Sequence, residues 1–387
     1  MRILLVSMNS IHFRRWSEQL RDSGHEVYWF DILDQGDAPS ISWMTQITGW
    51  KKGFLKKRGR TFIKNRSPKL YTALVNKYDT KVEEAFAKAV QEIQPDAIHS
   101  FALYVSCTPI LPVMLQNNIP WIYSSWGSDL FYFRKDSSHL KDIKKVLPRV
   151  NYMFADCKRD QEIATELGFI GTHLGVFPGG GGFDLEAFKT YQIPQSQRKI
   201  IAVKGNENRS GRAVPVLKAL EQLCLQLTDL EVVVFGVEND AVFQFQEGSI
   251  PHLTIKGLME HEELIRLFCS SLIYIGNSNS DGMPNTLLEA ICAGAFPIQS
   301  NPGGATAELI KNKKNGLLIE DCENSEEIQQ HISFAIQNLA MIENAFVYNQ
   351  AYAQEHLSRE VLTKKALKMY QMIPSIERDN SSPPFND

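Results

Sequence analysis

The sequence has few cysteines, and no two of them have the spacing of a C-x-x-C motif. Six cysteines occur in 387 residues without a C-x-x-C pair, so the patterns of a disulfide scaffold and of a zinc ribbon are both missing. Several lie within apolar runs, as small buried residues do. A reduced cytoplasm therefore suits this protein best. The cysteines are Cys107, Cys157, Cys224, Cys269, Cys292 and Cys322.

Long apolar runs and cofactor motifs are also lacking. No stretch approaches the roughly 20 apolar residues of a spanning helix, and residues 1 to 8 are too short for a signal peptide. The turn after the first apolar strand reads S-M-N-S-I-H-F, without G-x-G-x-x-G, and there is no D-x-D or H-E-x-x-H. We therefore expect no nicotinamide cofactor, no metal and a cytoplasmic location.

The composition of the chain fits two domains. With 387 residues and 43% hydrophobic side chains, it can build two buried cores. The net charge is -3, but residues 1 to 190 hold 25 basic and 20 acidic side chains, against 16 and 24 in the remainder. The first half is thus the basic one.

The first half alternates apolar strands with amphipathic helices. This alternation predicts an α/β domain with a parallel, doubly wound sheet, whose ligands bind at the carboxyl ends of the strands. Strands are predicted over 2–7, 26–31, 97–101, 121–125 and 152–155, and helices over 13–21 and 80–93. The residues at the strand ends are Asn9, Ser10, Ile11, His99, Ser100, Trp126, Gly127, Ser128 and Asp129.

The most informative stretch is 278 to 308. A strand over 272–275 ends in a polar turn with Gly282, Met283 and Pro284, and a helix over 285–293 starts at once with Asn285. Free backbone N–H groups and the positive end of the helix dipole bind anions at such a start. The turn therefore predicts a diphosphate site.

Two carboxylates flank this turn. Asp281 precedes the helix and Glu289 follows eight positions later, about two turns, so both can face one side and accept hydrogen bonds from sugar hydroxyls. The same order of strand, turn and helix start is predicted again, with a strand over 296–299 and a turn at 301–304. Two helix starts are therefore expected to face one site. The alternative is an ordinary α/β unit whose acids cap or solvate helices.

The stretch from residue 281 reads D-G-M-P-N-T-L-L-E-A, followed by C-A-G-A-F-P-I, P-G-G-A-T-A-E-L-I and N-G-L-L-I. This pattern resembles the donor-binding half of retaining glycosyltransferases of family four, which have the GT-B fold. The resemblance covers residues 200 to about 370, including I-K-G-L-M-E-H-E-E-L with Gly257 and Leu258. It implies that Asp281 contacts the donor sugar and Glu289 the ribose. The family usually has glutamate at the first position, so Asp281 is a departure.

A basic loop follows the first strand of the second domain, predicted to begin at residue 199. Lys204 and Arg212 are the predicted ligands of the donor diphosphate, with Arg209 in reserve, since arginine binds phosphate as a fork. The family has an arginine after a glycine here and a lysine about six residues further on, and Lys204 and Arg212 of this chain stand at positions shifted from these. A solvated basic loop is the alternative for each residue.

In the first domain the family's H-G-x-D turn is replaced by W-G-S-D. Trp126 cannot act as a base, but it can stack on a sugar or fill the core. Asp129 can accept a hydrogen bond from a hydroxyl or cap a turn. His99 is a further acceptor-side candidate, although a lone histidine after a strand is more often structural.

The run of four glycines at 179–182, followed by Phe183 and Asp184, predicts the approach to a hinge, with a flexible loop as the alternative. The expected division has an acceptor domain at 1–184, a linker at 185–198, a donor domain at 199–355, a helix crossing back at 356–374 and a disordered tail at 375–387.

An insertion at 38–78 contains ten basic and no acidic residues. Trp43, Trp50 and other apolar side chains interleave with the charges, which is typical of a surface on anionic membranes. We expect such contact through 43–69, at the inner face of the membrane. A solvated lid stays open, and nucleic acid is disfavoured because no recognised module accompanies the charge.

The favoured function is a metal-independent, retaining glycosyltransferase that moves a sugar from a nucleotide-sugar, by family frequency a UDP-sugar, to a glycan, lipid-linked or protein-linked hydroxyl. Helix dipoles and basic side chains would stabilise the leaving group. A GT-B sugar-nucleotide epimerase or hydrolase, and a non-catalytic sugar-nucleotide-binding scaffold, are the alternatives. The sequence does not indicate the oligomeric state.

Overall fold

The computed structural model describes residues 1–51, 80–247 and 250–374. These residues form two parallel sheets, of seven and six strands, with helices on both faces. The predicted α/β class with two doubly wound units is confirmed. The strand orders are β3-β2-β1-β4-β5-β6-β7 in the first sheet and β10-β9-β8-β11-β12-β13 in the second.

The first unit begins at the amino terminus, and its central strand β1 pairs in parallel with β2 and β4. Its strands are β1 Arg2–Ser7, β2 Glu26–Asp31, β3 Thr45–Ile47, β4 Ala97–Phe101, β5 Trp121–Ser124, β6 Tyr152–Ala155 and β7 Thr172–Val176. Its helices are α1 Ile11–Ser17, α2 Val82–Ile93, α3 Leu111–Met114, α4 Ser137–Val146 and α5 Lys158–Glu166.

The second unit is built around β8 and β11, which pair in parallel. Its strands are β8 Ile200–Lys204, β9 Glu231–Phe235, β10 Leu253–Ile255, β11 Ser271–Gly276, β12 Phe296–Ser300 and β13 Leu317–Ile319. The helices from residue 185 onward are α6 Leu185–Tyr191, α7 Ala213–Gln222, α8 Asp240–Phe243, α9 His261–Ser270, α10 Asn285–Ala293, α11 Ser325–Gln337, α12 Leu339–His356 and α13 Arg359–Tyr370.

Each sheet is buried on both faces, because the apolar side chains of a strand point alternately to either side. In β1, Leu4 and Val6 pack into one core and Ile3 and Leu5 into another. The near-continuous apolar runs of the central strands follow from this arrangement. The carboxyl ends of both sheets remain open for ligands.

The chain crosses between the units at two adjacent points. The Phe183 N–H donates to the Leu357 carbonyl at 2.9 Å, and the Arg359 N–H donates to the Phe183 carbonyl at 2.8 Å. Gly182 has φ +90, and a Cβ there would lie 2.7 Å from Leu362 Cδ1. Helix α13 then packs on the first sheet through Leu362, Ala366 and Tyr370.

The expected domain boundaries stay predictions, although two structural facts bear on them. Helix α6 occupies the first half of the expected linker at 185–198. The glycine run at 179–182 is closely packed, since a Cβ at Gly179 would lie 3.2 Å from the Trp126 ring. These glycines serve close approach of the backbone to its neighbours.

One expected element differs from the structure. The turn at 301–304 opens no α-helix within the described residues. It continues as two single 3₁₀ turns, Pro302–Gly304 and Thr306–Glu308, and Gly303 within the first turn has φ +65. The α-helical dipole at the candidate site is therefore that of α10, and the expectation of two helix starts is wrong.

The basic insertion falls mostly on residues 52–79, which lie outside the described residues, as does the tail from 375. Its described part is packed into the first unit. Trp50 stacks on Phe30 with ring centroids 5.4 Å apart, and Trp43 Nε1 donates to Glu18. These two tryptophans thus pack against the first unit, and the contact with a membrane stays a prediction. Within the described ranges, no helix combines the length and apolarity needed for a membrane span.

Candidate functional site

A cleft of about 420 Å³ lies where the carboxyl ends of the two sheets meet. Both units line it, and a second cavity of about 340 Å³ adjoins it through Lys204, Arg209 and Asp281. The residues that line the cleft are Met8, His12, Ala102, Tyr104, Trp126, Gly127, Ser128, Asp129, Phe133, Asp156, Gly179, Lys204, Arg209, Asp281, Met283, Pro284, Asn285 and Thr286.

The turn between β11 and α10 forms one wall of the cleft. Pro284 precedes the first residue of α10, and Asn285 and Thr286 place the first helical turn at the cleft surface. Gly282 has no room for a side chain, since a Cβ there would lie 2.0 Å from Asp156 Oδ2. The structure therefore brings Met283, Pro284 and Asn285 to the cleft as predicted, with a positive helix end facing it.

Asp281 stands at the junction of the two units. Its Oδ1 accepts from the Gly282 N–H at 2.9 Å, and its carbonyl accepts from Arg159 Nη1 at 2.9 Å. A Cβ built on Gly127 would lie 3.5 Å from Asp281 Oδ1. The turn containing Gly127 in the first unit thus passes directly over this carboxylate.

The basic loop divides into residues that reach the cleft and one that does not. Lys204 and Arg209 line both cavities. The Arg212 guanidinium pairs with Glu323 and donates from Nη1 to the carbonyls of Asn208 and Gly211 at 2.9 and 2.7 Å. The structure thus places Arg209, the reserve, at the cleft, while the donor contact of Arg212 stays a prediction.

Glu289 is buried behind the cleft wall, with 3% of its surface exposed. Its Oε1 accepts from Arg15 Nη1 at 3.0 Å and lies 2.8 Å from His261 Nε2. Glu289 is not among the described residues that line the cleft. Its ribose contact stays a prediction, and it requires that a ligand reach the carboxylate beside Arg15.

Gly257 and Leu258 are also outside the described cleft wall. The Gly257 carbonyl accepts from the Gly236 N–H at 3.0 Å. The Leu258 side chain is 82% exposed. Their donor contacts stay predictions.

On the side of the first unit, Trp126 and Gly127 line the cleft as predicted. Trp126 lies 5.1 Å from Phe101 between ring centroids and is half-buried, so it both packs and faces the cleft. Asn9 and Ser10 do not belong to the described lining. Ser10 instead caps α1, because its hydroxyl accepts from the Phe13 N–H at 3.2 Å.

His99 is a core residue rather than an acceptor-side residue. It is fully buried, and its Nδ1 lies 2.6 Å from the Tyr370 hydroxyl while Nε2 lies 2.8 Å from the Ser124 hydroxyl. Burial holds its pKa well below the ordinary value. The side chain points to the face covered by α13, so the expectation that it faces the acceptor is wrong.

Asp129 lines the cleft but is occupied by the protein itself. Its Oδ2 accepts from the Leu103 N–H at 2.7 Å and from the Tyr123 hydroxyl. Burial raises its pKa to about 7, against the hydrogen bond from Tyr123, which lowers it. The reading of Asp129 as a residue that caps a turn fits this geometry, and its predicted catalytic role is untested.

His12 and Asp156 are among the cleft residues that were not predicted from the sequence. His12 Nδ1 lies 2.6 Å from Asn285 Nδ2, and burial together with the Arg15 charge lowers the pKa of His12, so the ring is neutral at pH 7. Asp156 Oδ2 accepts from the Gly127 N–H at 2.9 Å and from the Met283 N–H at 3.4 Å. Their signal is position, since each follows closely on a predicted strand, β1 or β6.

Further contacts hold the two units together around the cleft. The Ser128 and Ser280 hydroxyls lie 3.0 Å apart. Glu308 accepts from the N–H groups of Lys158 and Arg159 at 2.7 and 2.9 Å, and so caps α5 from the other unit. The structure is therefore that of a closed arrangement of the two units.

One buried group in the described chain could in principle hold a metal ion. The ligand atoms of Asp156, Cys157 and Asp160 lie within 4.8 Å of one another. However, Arg159 Nη2 already pairs with Asp160 at 2.8 Å, and the group stands at the positive end of α5. One carboxylate of the group is therefore already paired with a cation, and the absence of a metal stays a prediction.

The second unit carries a recognisable family pattern. Residues 185–350 match the family model described as glycosyl transferases group 1. This match supports a group 1 glycosyltransferase. Among curated proteins, spore coat protein SA of Bacillus subtilis (strain 168) is 25% identical over 121 residues, which make up 31% of this chain and 32% of that protein. The match to that relative thus spans about a third of its length.

Solved structures resemble this chain over nearly its whole length. Sucrose-phosphate synthase from Thermosynechococcus elongatus has a TM-score of 0.72 at 16% identity, with 96% of this chain and 98% of that chain covered. HepE of Anabaena, solved with UDP and glucose, has a TM-score of 0.69 at 14% identity, with 96% and 100% covered. At these identities the likeness shows the fold, and the GT-B fold predicted from the sequence is confirmed.

Proposed function

We propose that this protein is a retaining glycosyltransferase that moves a sugar from a UDP-sugar to a hydroxyl of a glycan, lipid-linked or protein-linked acceptor, in the synthesis of a cell-envelope polysaccharide or glycoconjugate. The observation that carries this proposal is the convergence of Lys204, Arg209, Asp281 and the first turn of α10 on one cleft. HepE, which shares the fold, was solved with UDP-glucose.

The donor diphosphate is proposed to lie between the first turn of α10 and the basic loop. Backbone N–H groups at 283–285 and the helix dipole attract its oxygens. Lys204 and Arg209 supply the positive charge from the opposite side. Asp281 accepts hydrogen bonds from the hydroxyls of the transferred sugar, beside Gly127 of the other unit.

The reaction then depends on stabilising the leaving group. The acceptor oxygen forms a bond to the anomeric carbon on the face from which the diphosphate oxygen departs, and the hydroxyl proton passes to the departing diphosphate. Charge that develops on the diphosphate is met by groups already in place, which is usually the largest electrostatic contribution to catalysis. The closed arrangement of the units excludes water from the anomeric carbon.

The test combines binding with product analysis. Calorimetry against UDP-glucose, UDP-galactose, UDP-N-acetylglucosamine and GDP-mannose should show heat with at least one donor. The D281N variant should lower sugar transfer about a hundredfold or more. The control D229N removes the same charge at an exposed site of the second unit, and transfer should be retained.

The outcomes separate the alternatives. A changed sugar without transfer would indicate an epimerase, binding without turnover would indicate a scaffold, and no heat with any donor would refute the proposal. Transfer should also persist in excess EDTA, because side chains and a helix end supply the charge. Loss of transfer in EDTA, with recovery on adding Mg²⁺ or Mn²⁺, would refute metal independence.

A further inference from the structure

Three aromatic rings that the donor site does not use form a cluster at the cleft. Tyr104 and Phe133 lie 4.7 Å apart between ring centroids, and Phe133 stacks on His139 at 4.7 Å with an interplanar angle of 29°. Tyr104 and Phe133 both line the cleft, and the Tyr104 side chain is 45% exposed. We call these three residues the aromatic cluster.

The backbone beneath Tyr104 is unusual. Residues Leu103–Cys107 form a single π-helical turn, and Ala102 before it has φ +64, a conformation that residues with a Cβ rarely adopt. Asp129 holds this turn by accepting from the Leu103 N–H at 2.7 Å. Such strained backbone concentrates at functional sites. Here it presents Tyr104 to the cleft.

The cluster adjoins the diphosphate end of the cleft. The Arg209 guanidinium carbon lies 4.5 Å from the Tyr132 ring centroid and 5.1 Å from that of Phe133. One cation therefore borders both the proposed diphosphate site and the rings. The predicted ribose ligand, Glu289, is bound by Arg15 and His261. None of these three residues is among the described residues that line the cleft with Tyr104.

The position of the aromatic cluster in the cleft indicates which molecule would bind to it. A ring bound here lies beyond the diphosphate on the side of the first unit, so it belongs to the molecule that attacks the anomeric carbon. One face of a pyranose carries C–H groups that pack on an aromatic face, while its hydroxyls reach polar groups at the cleft edge. Rigid aromatic side chains give such contact at a small entropic cost.

We propose that Tyr104 and Phe133 form an acceptor subsite that binds a pyranose ring by stacking, so that the acceptor is a carbohydrate at the ring next to its reacting hydroxyl. This inference rests on the proposed function and narrows its acceptor to a sugar. His139 supports Phe133 from behind, and Arg209 fixes the edge toward the leaving group.

The experiment measures acceptor and donor separately. Acceptor probes are the methyl glycosides of glucose, galactose, mannose and N-acetylglucosamine in both anomers, each incubated with the donor that binds. Transfer is followed by UDP or GDP release and product mass. The variants are Y104A, Y104F and F133A, and F243A serves as control because it removes an aromatic ring that is 40% exposed away from the cleft.

We expect Y104A and F133A to raise the acceptor KM about tenfold or more, and Y104A, which does not touch Arg209, to leave the donor Kd unchanged. Y104F keeps the ring and should raise the acceptor KM less than Y104A does, while F243A should stay near wild type. Thermal unfolding checks that each variant is folded. Because Tyr104 is half-exposed, its replacement tests binding rather than folding.

Each other outcome is decisive. An unchanged acceptor KM in Y104A overturns the subsite, and an equal loss of donor affinity assigns the rings to the nucleotide instead. If the donor binds and hydrolyses but no glycoside accepts the sugar, the carbohydrate subsite fails while the donor site stands. If no nucleotide-sugar binds wild type, the proposed function itself fails.

Discussion

The two units share one layout, a parallel doubly wound sheet, but they line the cleft with different chemistry. The second unit contributes charge and backbone dipoles, through Lys204, Arg209, Asp281 and the start of α10. The first unit contributes rings, above all Trp126 and the aromatic cluster. The comparison indicates that the second unit is built to hold an anion and the first to hold a neutral ring.

The largest expected effect falls on the anion side. We expect K204A to lower kcat/KM by about 10² to 10³, because a cation that meets developing diphosphate charge is lost. K218A removes the same charge from an exposed position of α7 and should stay near wild type. Steady-state kinetics with the donor that binds checks this. Equal behaviour of the two variants would contradict the division between the units.

Asp129 gives the first unit a pH-dependent stability. Burial raises the pKa of Asp129 from 3.8 to about 7. Its stabilising contribution is therefore present below pH 3.8 and is lost as pH rises through about 7. In D129N this loss is absent, so wild type should lose on the order of 2 kcal/mol relative to D129N between about pH 5 and 8.

Urea unfolding of wild type and D129N at several pH values measures this difference. The exposed D229N variant is the control, and its curve should run parallel to that of wild type. A wild-type curve parallel to that of D129N would show that the buried carboxyl does not titrate as the geometry requires.

The two arginines of the basic loop sharpen the boundary of the anion site. R209A should lower kcat/KM about tenfold or more, since Arg209 faces both cavities. R212A should lower kcat/KM by less, because Arg212 is paired with Glu323. Kinetics and thermal unfolding of both variants check this. A larger loss of kcat/KM in R212A than in R209A would assign Arg212 to the diphosphate site.

The smallest expected effect is a loss of stability without a loss of activity, from a substitution in the core of the first unit. Y370F removes the hydroxyl that lies 2.6 Å from His99 Nδ1, and it should cost about 1 kcal/mol of stability. Donor and acceptor KM should be unchanged, since His99 lies under α13. Chemical unfolding and kinetics measure the two quantities. A loss of activity at unchanged stability would place His99 back in the site.

Prediction from the sequence succeeded where one short segment carries the whole feature. The strand, turn and helix around Asp281 are continuous, and the predicted helix at 285–293 has the bounds of α10. Lys204 follows the same logic, since it ends β8. The spacing in sequence did not show that Arg209 faces the cleft while Arg212 pairs with Glu323, because the loop backbone decides where each guanidinium points.

Prediction failed where distant segments must meet. His99 lies within β4 and His12 follows the neighbouring strand β1, yet α13 covers the first while the second meets Asn285, 273 residues away in sequence. Asp156 likewise joins turns from both units through one carboxylate oxygen. Tyr104 carries no local signal, because its position depends on the π-helical turn held by Asp129.

The amino-acid sequence alone determined the two parallel sheets and the anion-binding helix start, because apolar periodicity and turn residues act over a few neighbouring positions. Tertiary structure alone decided which polar and aromatic side chains share the cleft. That choice depends on which strand face each helix covers and on how closely the units approach, and both are set by packing between residues far apart in the chain.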